Sequence, residues 1–176
     1  MSVNRGKDFE ARVRKAFEQV PNMCFERLAD PMAGYAGVKN ICDFEAYKFP
    51  FKFYFECKSV HGNTLNLFHG ITDNQFVGLM TKSACFGVVA GVLVWFVVHD
   101  RTVFVPIQEL DLLTKMGHRS LNISHVSGDD SPIVYFDFPG RKRRVLFDYD
   151  ANALLKDLFI WAEDYWQVKA NGETKQ

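Results

Sequence analysis

The segment 86–98, FGVVAGVLVWFVV, constrains the fold of this chain more than any other. It is almost continuously apolar and rich in Val. It is also shorter than the roughly 20 residues that a membrane-spanning helix needs. Runs of this kind are typical of central strands whose two faces are both covered. We therefore predict a buried central strand with other elements packed on both sides of it.

Periodicity and end signals place the other elements around this strand. Thr72 and Gln75 form a capping-box pattern at the start of one helix. The order of helices and strands predicts an α/β (α+β) fold, a mixed central β-sheet flanked by helices. We expect one domain over 1–168 and a disordered tail over 169–176. The predicted segments are helices at 6–20, from 72, 107–116 and 151–168, a strand at 102–107, hairpins at 41–60 and at 133–138 with 144–150, and a loop at 26–40.

The composition of the chain disfavours several classes of protein. The chain is 48% hydrophobic, and its four cysteines include no CxxC pair. This pattern disfavours a zinc ribbon or a disulfide scaffold and favours a reducing compartment. With no signal-peptide pattern at the N-terminus, we expect a cytoplasmic protein without a membrane partner. The net charge is zero, but basic clusters near residue 5 and at 141–144 are compatible with local phosphate binding.

The hairpin at 41–60 carries charges on strands that are otherwise aromatic. A turn centred on Phe49–Pro50 pairs residues whose numbers sum to 99, which sets Asp43 opposite Glu56. Strand alternation places Lys58 on the same face as Glu56 and points Phe55 to the other face. We therefore expect a buried aromatic face and a separate, accessible charged face.

Two interpretations of this charged face remain open on the residues alone. Glu56 and Lys58 fit a salt bridge on the solvated side of an amphipathic strand. Facing carboxylates also repel unless a cation lies between them, and hard oxygen ligands suit Mg²⁺ or Mn²⁺. In that second case Lys58 would assist a water molecule or neutralise charge on a phosphate.

Several segments together resemble a known nuclease family. The pattern D-x12-ExK, preceded by a Glu on a helix, resembles the PD-(D/E)xK superfamily. NRGKDFEARV, CDFEAY, FECKS, LNLFHGITDNQF and FGVVAGVLVWFVVHDRTVFVPI resemble RecU-type Holliday junction resolvases, and especially the shorter, phage-borne members. Cys42 replaces the Pro of the motif, and the long stalk of the family is reduced to residues 26–41.

The resemblance implies a restriction-endonuclease-like core and a set of site residues. Asp43, Glu56 and the backbone carbonyl of Cys57 would bind the metal. Lys58 would be the catalytic lysine, and Glu10 would complete the acidic site. Gln75 falls where the family has a polar helix residue near the active site. The candidate DNA contacts are Arg5, Lys7, Arg14, His61 and His69.

The implied activity is that of a Mg²⁺-dependent endodeoxyribonuclease, with Mn²⁺ as a substitute. It would resolve four-way DNA junctions in recombination and repair by paired symmetric nicks. Its partners would be branched DNA, a second copy of the chain, and host or phage recombination proteins. Two alternatives remain: a PD-(D/E)xK nuclease with another task, restriction-like or exonucleolytic, and a catalytically silent DNA-binding recombination protein.

Overall fold

Four α-helices, two short 3-10 helices and ten strands occur in residues 5–28 and 40–173, the part of the chain that the computed structural model describes. The elements in chain order are α1 (Arg5–Phe17), β1 (Cys24–Arg27), β2 (Phe44–Lys48), β3 (Phe51–Val60), β4 (Thr64–Asn66), α2 (Asp73–Ser83), β5 (Val88–Phe96), β6 (Arg101–Pro106), α3 (Ile107–Lys115), β7 (Ser120–Asn122), β8 (Phe136–Asp137), β9 (Gly140–Arg143), β10 (Leu146–Tyr149) and α4 (Ala151–Glu173).

A six-stranded mixed sheet organises the molecule. Its strand order is β1-β2-β3-β5-β6-β8. Strands β3 and β5 are parallel, and every other neighbouring pair is antiparallel. The segment 86–98 thus supplies a central strand, as predicted. The predicted fold class, a mixed sheet flanked by helices, is confirmed.

Helices cover both faces of the sheet. One hydrophobic cluster joins α1 and α4 to residues such as Phe53, Phe55 and Trp95. The other joins α2 and α3 to residues such as Tyr54 and Val94. Neighbouring residues of β3 and β5 therefore enter opposite clusters, since side chains alternate along a strand. This explains why the sequence of β5 is apolar at nearly every position.

Two local predictions are confirmed in detail. Strands β2 and β3 pair with Phe44 opposite Phe55 and Lys48 opposite Phe51, which is the predicted register. The intervening Phe49–Pro50 peptide is cis. At the start of α2, Thr72 accepts a hydrogen bond from the Gln75 amide and the Gln75 side chain accepts one from the Thr72 amide.

The prediction for the last hairpin is wrong. We predicted that 133–138 pairs with 144–150 across a basic turn. Instead, the basic segment is itself a strand, because Gly140–Arg143 pairs with Leu146–Tyr149. The short strand β8 joins the edge of the central sheet beside β6. Residues within 133–138 pair with the open edge of β6 instead of with 144–150. The sequence of the hairpin does not show that this edge is available.

Other boundaries also differ from prediction. Strand β1 includes Glu26 and Arg27, which we assigned to the loop at 26–40, because they pair with β2. The remainder of that loop, 29–39, lies outside the described residues. Helix α1 begins at Arg5, so Arg5 and Lys7 lie within the helix and not before it. Helix α4 runs to Glu173, beyond the predicted end at 168.

Two further findings concern membrane spans and the cysteines. In the described residues, no helix is both long enough and apolar enough to span a membrane. Cys24, Cys42, Cys57 and Cys85 are all free thiols, as expected for a chain without a disulfide scaffold.

Candidate active site

The candidate site forms where β2 separates from β3. The ladder between the two strands ends at the pair Phe44–Phe55, so the last residues of β3 have no ladder partner in β2. The amide of Cys57 instead donates a hydrogen bond to the Asp43 carboxylate, at 2.8 Å. The carbonyl of Asp43 accepts a hydrogen bond from the amide of Leu28. The fork thus holds the Asp43 side chain beside the end of β3.

Glu56, Lys58 and Gln75 form one hydrogen-bonded cluster at this fork. Lys58 Nζ lies 2.8 Å from Glu56 Oε1. The amide group of Gln75 joins the two, since its Nε2 donates to Glu56 Oε1 at 2.7 Å and its Oε1 accepts from Lys58 Nζ at 3.2 Å. The capping box that begins α2 fixes the same Gln75 side chain. The cap of one helix therefore positions the charged pair on a neighbouring strand.

Glu56 is buried, which corrects our expectation of an accessible charged face. Its relative exposure is 2%, because α2 covers the face of β3 that carries Tyr54 and Glu56. A solvated surface salt bridge is therefore excluded, although the ion pair with Lys58 is present. Burial, followed by the charge of Asp43, raises the pKa of Glu56 from 4.5 to about 7, while Lys58 opposes this change.

Glu10 reaches the site from α1. Its negative charge also raises the pKa of Glu56, and its Oε2 lies 3.4 Å from Arg27 Nη2. Residues Lys7, Glu10, Arg14 and Arg27 line one groove. In the described part of the chain, no three His, Cys, Asp or Glu side chains converge closely enough to hold a metal ion. Any metal held here would thus depend on main-chain or water ligands in addition to carboxylates.

The oxygen atoms at the fork nonetheless fit a hard divalent cation. Glu56 Oε2 is buried and has no hydrogen-bond partner, which is costly for a carboxylate oxygen. Asp43 is close enough to disfavour ionisation of Glu56. A cation between the two carboxylates would remove both penalties, and Mg²⁺ prefers oxygen ligands of this kind.

The candidate DNA contacts lie in three different places. Lys7 and Arg14 line the groove beside Glu10, and Arg5 begins the same helix. His61 is exposed just after the end of β3. His69 lines a separate pocket, together with Asn66, Phe68 and Arg119.

Arg27 is the site residue that sequence reasoning missed. It lies in β1, which has only four residues and a mostly exposed burial pattern. Its contact with Glu10 spans 17 positions of the chain. No local pattern indicates such a pair. The positive charge of Arg27 was the only signal that the sequence offered.

Comparison with solved structures found several similar chains, of which one is described here. The protein in the 1.6 Å structure of Hjc from Archaeoglobus fulgidus, a Holliday junction resolvase from an archaeal hyperthermophile, is 21% identical in sequence to this chain. The structural match covers 70% of this chain and 100% of the Hjc chain, with a TM-score of 0.45. No family model and no curated protein matches the chain. Membership of the RecU-type family stays a prediction.

Proposed function

We propose that this protein is a metal-dependent, structure-selective endodeoxyribonuclease that nicks four-way DNA junctions. The observation that carries the proposal is the buried Glu56, which is bound to Lys58 and Gln75 through one oxygen and unpartnered at the other. A strand in a structural role has little reason to bury such a group. A catalytic site does, because a buried carboxylate can hold a cation, and a cation in such surroundings interacts strongly with a phosphate.

Asp43, Glu56, the Cys57 carbonyl and Glu10 would hold Mg²⁺, with Mn²⁺ as a substitute. When bound, the ion would supply Lewis-acid stabilisation of the phosphate oxygens and a more acidic water. The unpartnered oxygen of Glu56 and the placement of Asp43 at the fork support this assignment. Glu10 is held near Arg27, so its contribution would be electrostatic or through water.

Lys58 would stabilise the charge that develops on the phosphate as water attacks. Attack on phosphorus in line with the 3′ oxygen breaks the P–O3′ bond and leaves 5′-phosphate and 3′-hydroxyl ends. The Lys58 side chain is partly exposed, with 21% of it accessible, so it is available to a substrate. Gln75 would keep Lys58 and Glu56 in register during the reaction.

The groove on α1 would guide the DNA backbone to this site. Lys7, Arg14 and Arg27 place positive charge beside Glu10, and phosphate contacts of this kind position DNA without reading its sequence. Arg5 in the first turn of α1 extends the same charge. His61 would add a contact just after the end of β3, and His69 would add one at its own pocket beside Asn66 and Arg119.

A labelled mobile four-way junction with Mg²⁺ tests the proposal. We expect paired nicks from the wild-type protein. Glu56→Ala should lower the nicking rate by at least about 1,000-fold and leave junction binding nearly intact, because catalysis loses a charged group at the reacting centre. Glu45→Ala is the matched control, since Glu45 lies on the adjacent strand and pairs with Lys52. Retained nicking by Glu56→Ala would remove this cluster from the active site.

The alternatives give different results in the same assay. A nuclease with another task would turn over flap or linear duplex DNA faster than the junction. A catalytically silent protein would bind the junction and cleave nothing in either Mg²⁺ or Mn²⁺.

A further inference from the structure

The hairpin β9–β10 carries the densest positive charge that the candidate site does not use. Every residue of β9 is exposed, and the basic run continues through Arg144 in the turn. The chain as a whole has a formal net charge of zero. Charge concentrated on one hairpin of a neutral protein therefore calls for a local explanation.

Four cations surround a single carboxylate beside this hairpin. Asp148 accepts hydrogen bonds from Arg12 through one oxygen and from Arg143 through the other, both at 3.0 Å. Arg141 lies directly opposite Asp148 in the β-ladder, and directly opposed residues share a face. Hydrogen bonding to Arg143, with the nearby charges of Lys15 and Arg12, lowers the pKa of Asp148. One carboxylate does not balance this set of cations.

The hairpin is held firmly in place. Lys142 pairs with Asp100 in the turn before β6. Phe147 is buried, and the Tyr149 hydroxyl lies 2.8 Å from that of Thr102. In residues 5–28 and 40–173, no salt bridge engages Arg141 or Arg144. A rigid backbone presenting such cations loses little conformational freedom on binding an anion.

Helix α1 connects this surface to the active-site groove. Arg12 and Lys15 line a cavity with Asp148 on one flank of the helix, while Lys7 and Arg14 line the groove with Glu10 on the other. The two flanks are separated by one helix, whose diameter with side chains is about 10–12 Å. Positive charge thus continues from the groove across the exposed side of α1 to the hairpin.

We propose that Arg12, Lys15, Arg141, Arg143 and Arg144 form a second DNA-binding surface, the arm-binding surface, which contacts the phosphate backbone of a duplex arm outside the active-site groove. This inference rests on the proposed function, because it assigns the surface to the same branched DNA. Exposed ion pairs contribute about 1 kcal/mol or less to stability, and one partner for Asp148 would be enough. The additional cations are explained by a polyanion, and contacts of this kind fix register without specifying sequence.

The test is the salt dependence of junction binding in EDTA, where no cleavage occurs. In the variant Arg141→Ala/Arg144→Ala, we expect about tenfold weaker binding and a log–log salt slope that is smaller in magnitude by about 2, since each phosphate contact contributes about 0.9. The conservative variant Arg141→Lys/Arg144→Lys should retain most of the wild-type slope. Thermal melting should show that all variants are folded.

The matched control removes two exposed lysines elsewhere, Lys115 on α3 and Lys156 on α4. Lys115→Ala/Lys156→Ala should change the slope by less than about 0.5. A hairpin variant that binds the junction with the wild-type slope would overturn the arm-binding surface and leave the proposed function standing. A wild-type protein that binds no DNA at all would overturn both.

Discussion

Glu56 is a carboxyl group whose surroundings oppose its ionisation. It is 2% exposed, and burial raises its pKa to about 7 with further help from the charge of Asp43. The ion pair with Lys58 acts in the opposite direction. Without metal, the carboxyl group of Glu56 therefore titrates near neutral pH. Strongly shifted pKa values of this kind cluster at functional sites.

This shift predicts a pH-dependent stability of the metal-free protein. Between pH 4.5 and about 7 the folded state binds more protons at Glu56 than the unfolded state does. The stabilisation from this group is thus fully present below pH 4.5 and is lost as the pH rises through 7. We expect a loss on the order of 3 kcal/mol in the free energy of unfolding, measured by urea denaturation in EDTA.

Two variants assign the effect to one residue. Glu56→Gln should remove this component of the pH dependence, because it keeps the shape of the side chain without the ionisation. Glu45→Gln, on the neighbouring strand, should follow the wild-type curve. A Glu56→Gln protein with the full wild-type pH dependence would place the titrating group elsewhere.

Helix α2 contributes to the site through its first turn. The Gln75 side chain accepts a hydrogen bond from the Thr72 amide in the capping box. It also forms hydrogen bonds with both Glu56 and Lys58. The start of α2 and the Glu56–Lys58 pair therefore share one side chain. Helix position and the geometry of the candidate site are coupled at this residue.

Two substitutions separate these roles. Gln75→Ala should lower kcat by about 10- to 100-fold and the free energy of unfolding by about 1–2 kcal/mol, since both the cap and the cluster lose hydrogen bonds. Thr72→Ala removes only the capping hydroxyl, so it should cost similar stability at nearly full kcat. Single-turnover nicking and urea denaturation measure the two quantities. If the two variants nick DNA at the same rate, Gln75 acts only as part of the helix cap.

At the scale of the whole molecule, the proposed junction resolution requires two nicks on opposing strands. We therefore expect a homodimer, with a mass by light scattering of about twice the 20.2 kDa of the chain. With a supercoiled cruciform plasmid, paired cutting yields linear DNA and single cutting yields nicked circles. A dimer of two active chains should give mainly the linear product.

Mixing wild-type protein with Glu56→Ala before adding plasmid sharpens this prediction. If the subunits exchange and each cuts one strand, linear product should fall as the square of the wild-type fraction while total nicking falls linearly. A monomeric mass, with a linear product that falls in simple proportion, would contradict the dimer.

The sequence alone determined the features that depend on neighbouring residues. The apolar run at 86–98 identified the central strand β5, and the turn at Phe49–Pro50 defined the β2–β3 register. The capping box of α2 was also recognisable. In each case, side-chain periodicity or a hydrogen bond over three residues specifies the structure locally. The proximity of Asp43 to Glu56 followed from that register.

Only the tertiary structure decided what depends on distant partners. Glu56 is buried because α2 packs over β3, and Gln75 reaches it from 19 positions away. Residues 133–138 leave the predicted hairpin because the edge of β6 is available to β8. Arg12 and Asp148 meet across 136 positions. Such contacts depend on how whole elements pack against one another. A pattern of neighbouring residues does not specify that packing.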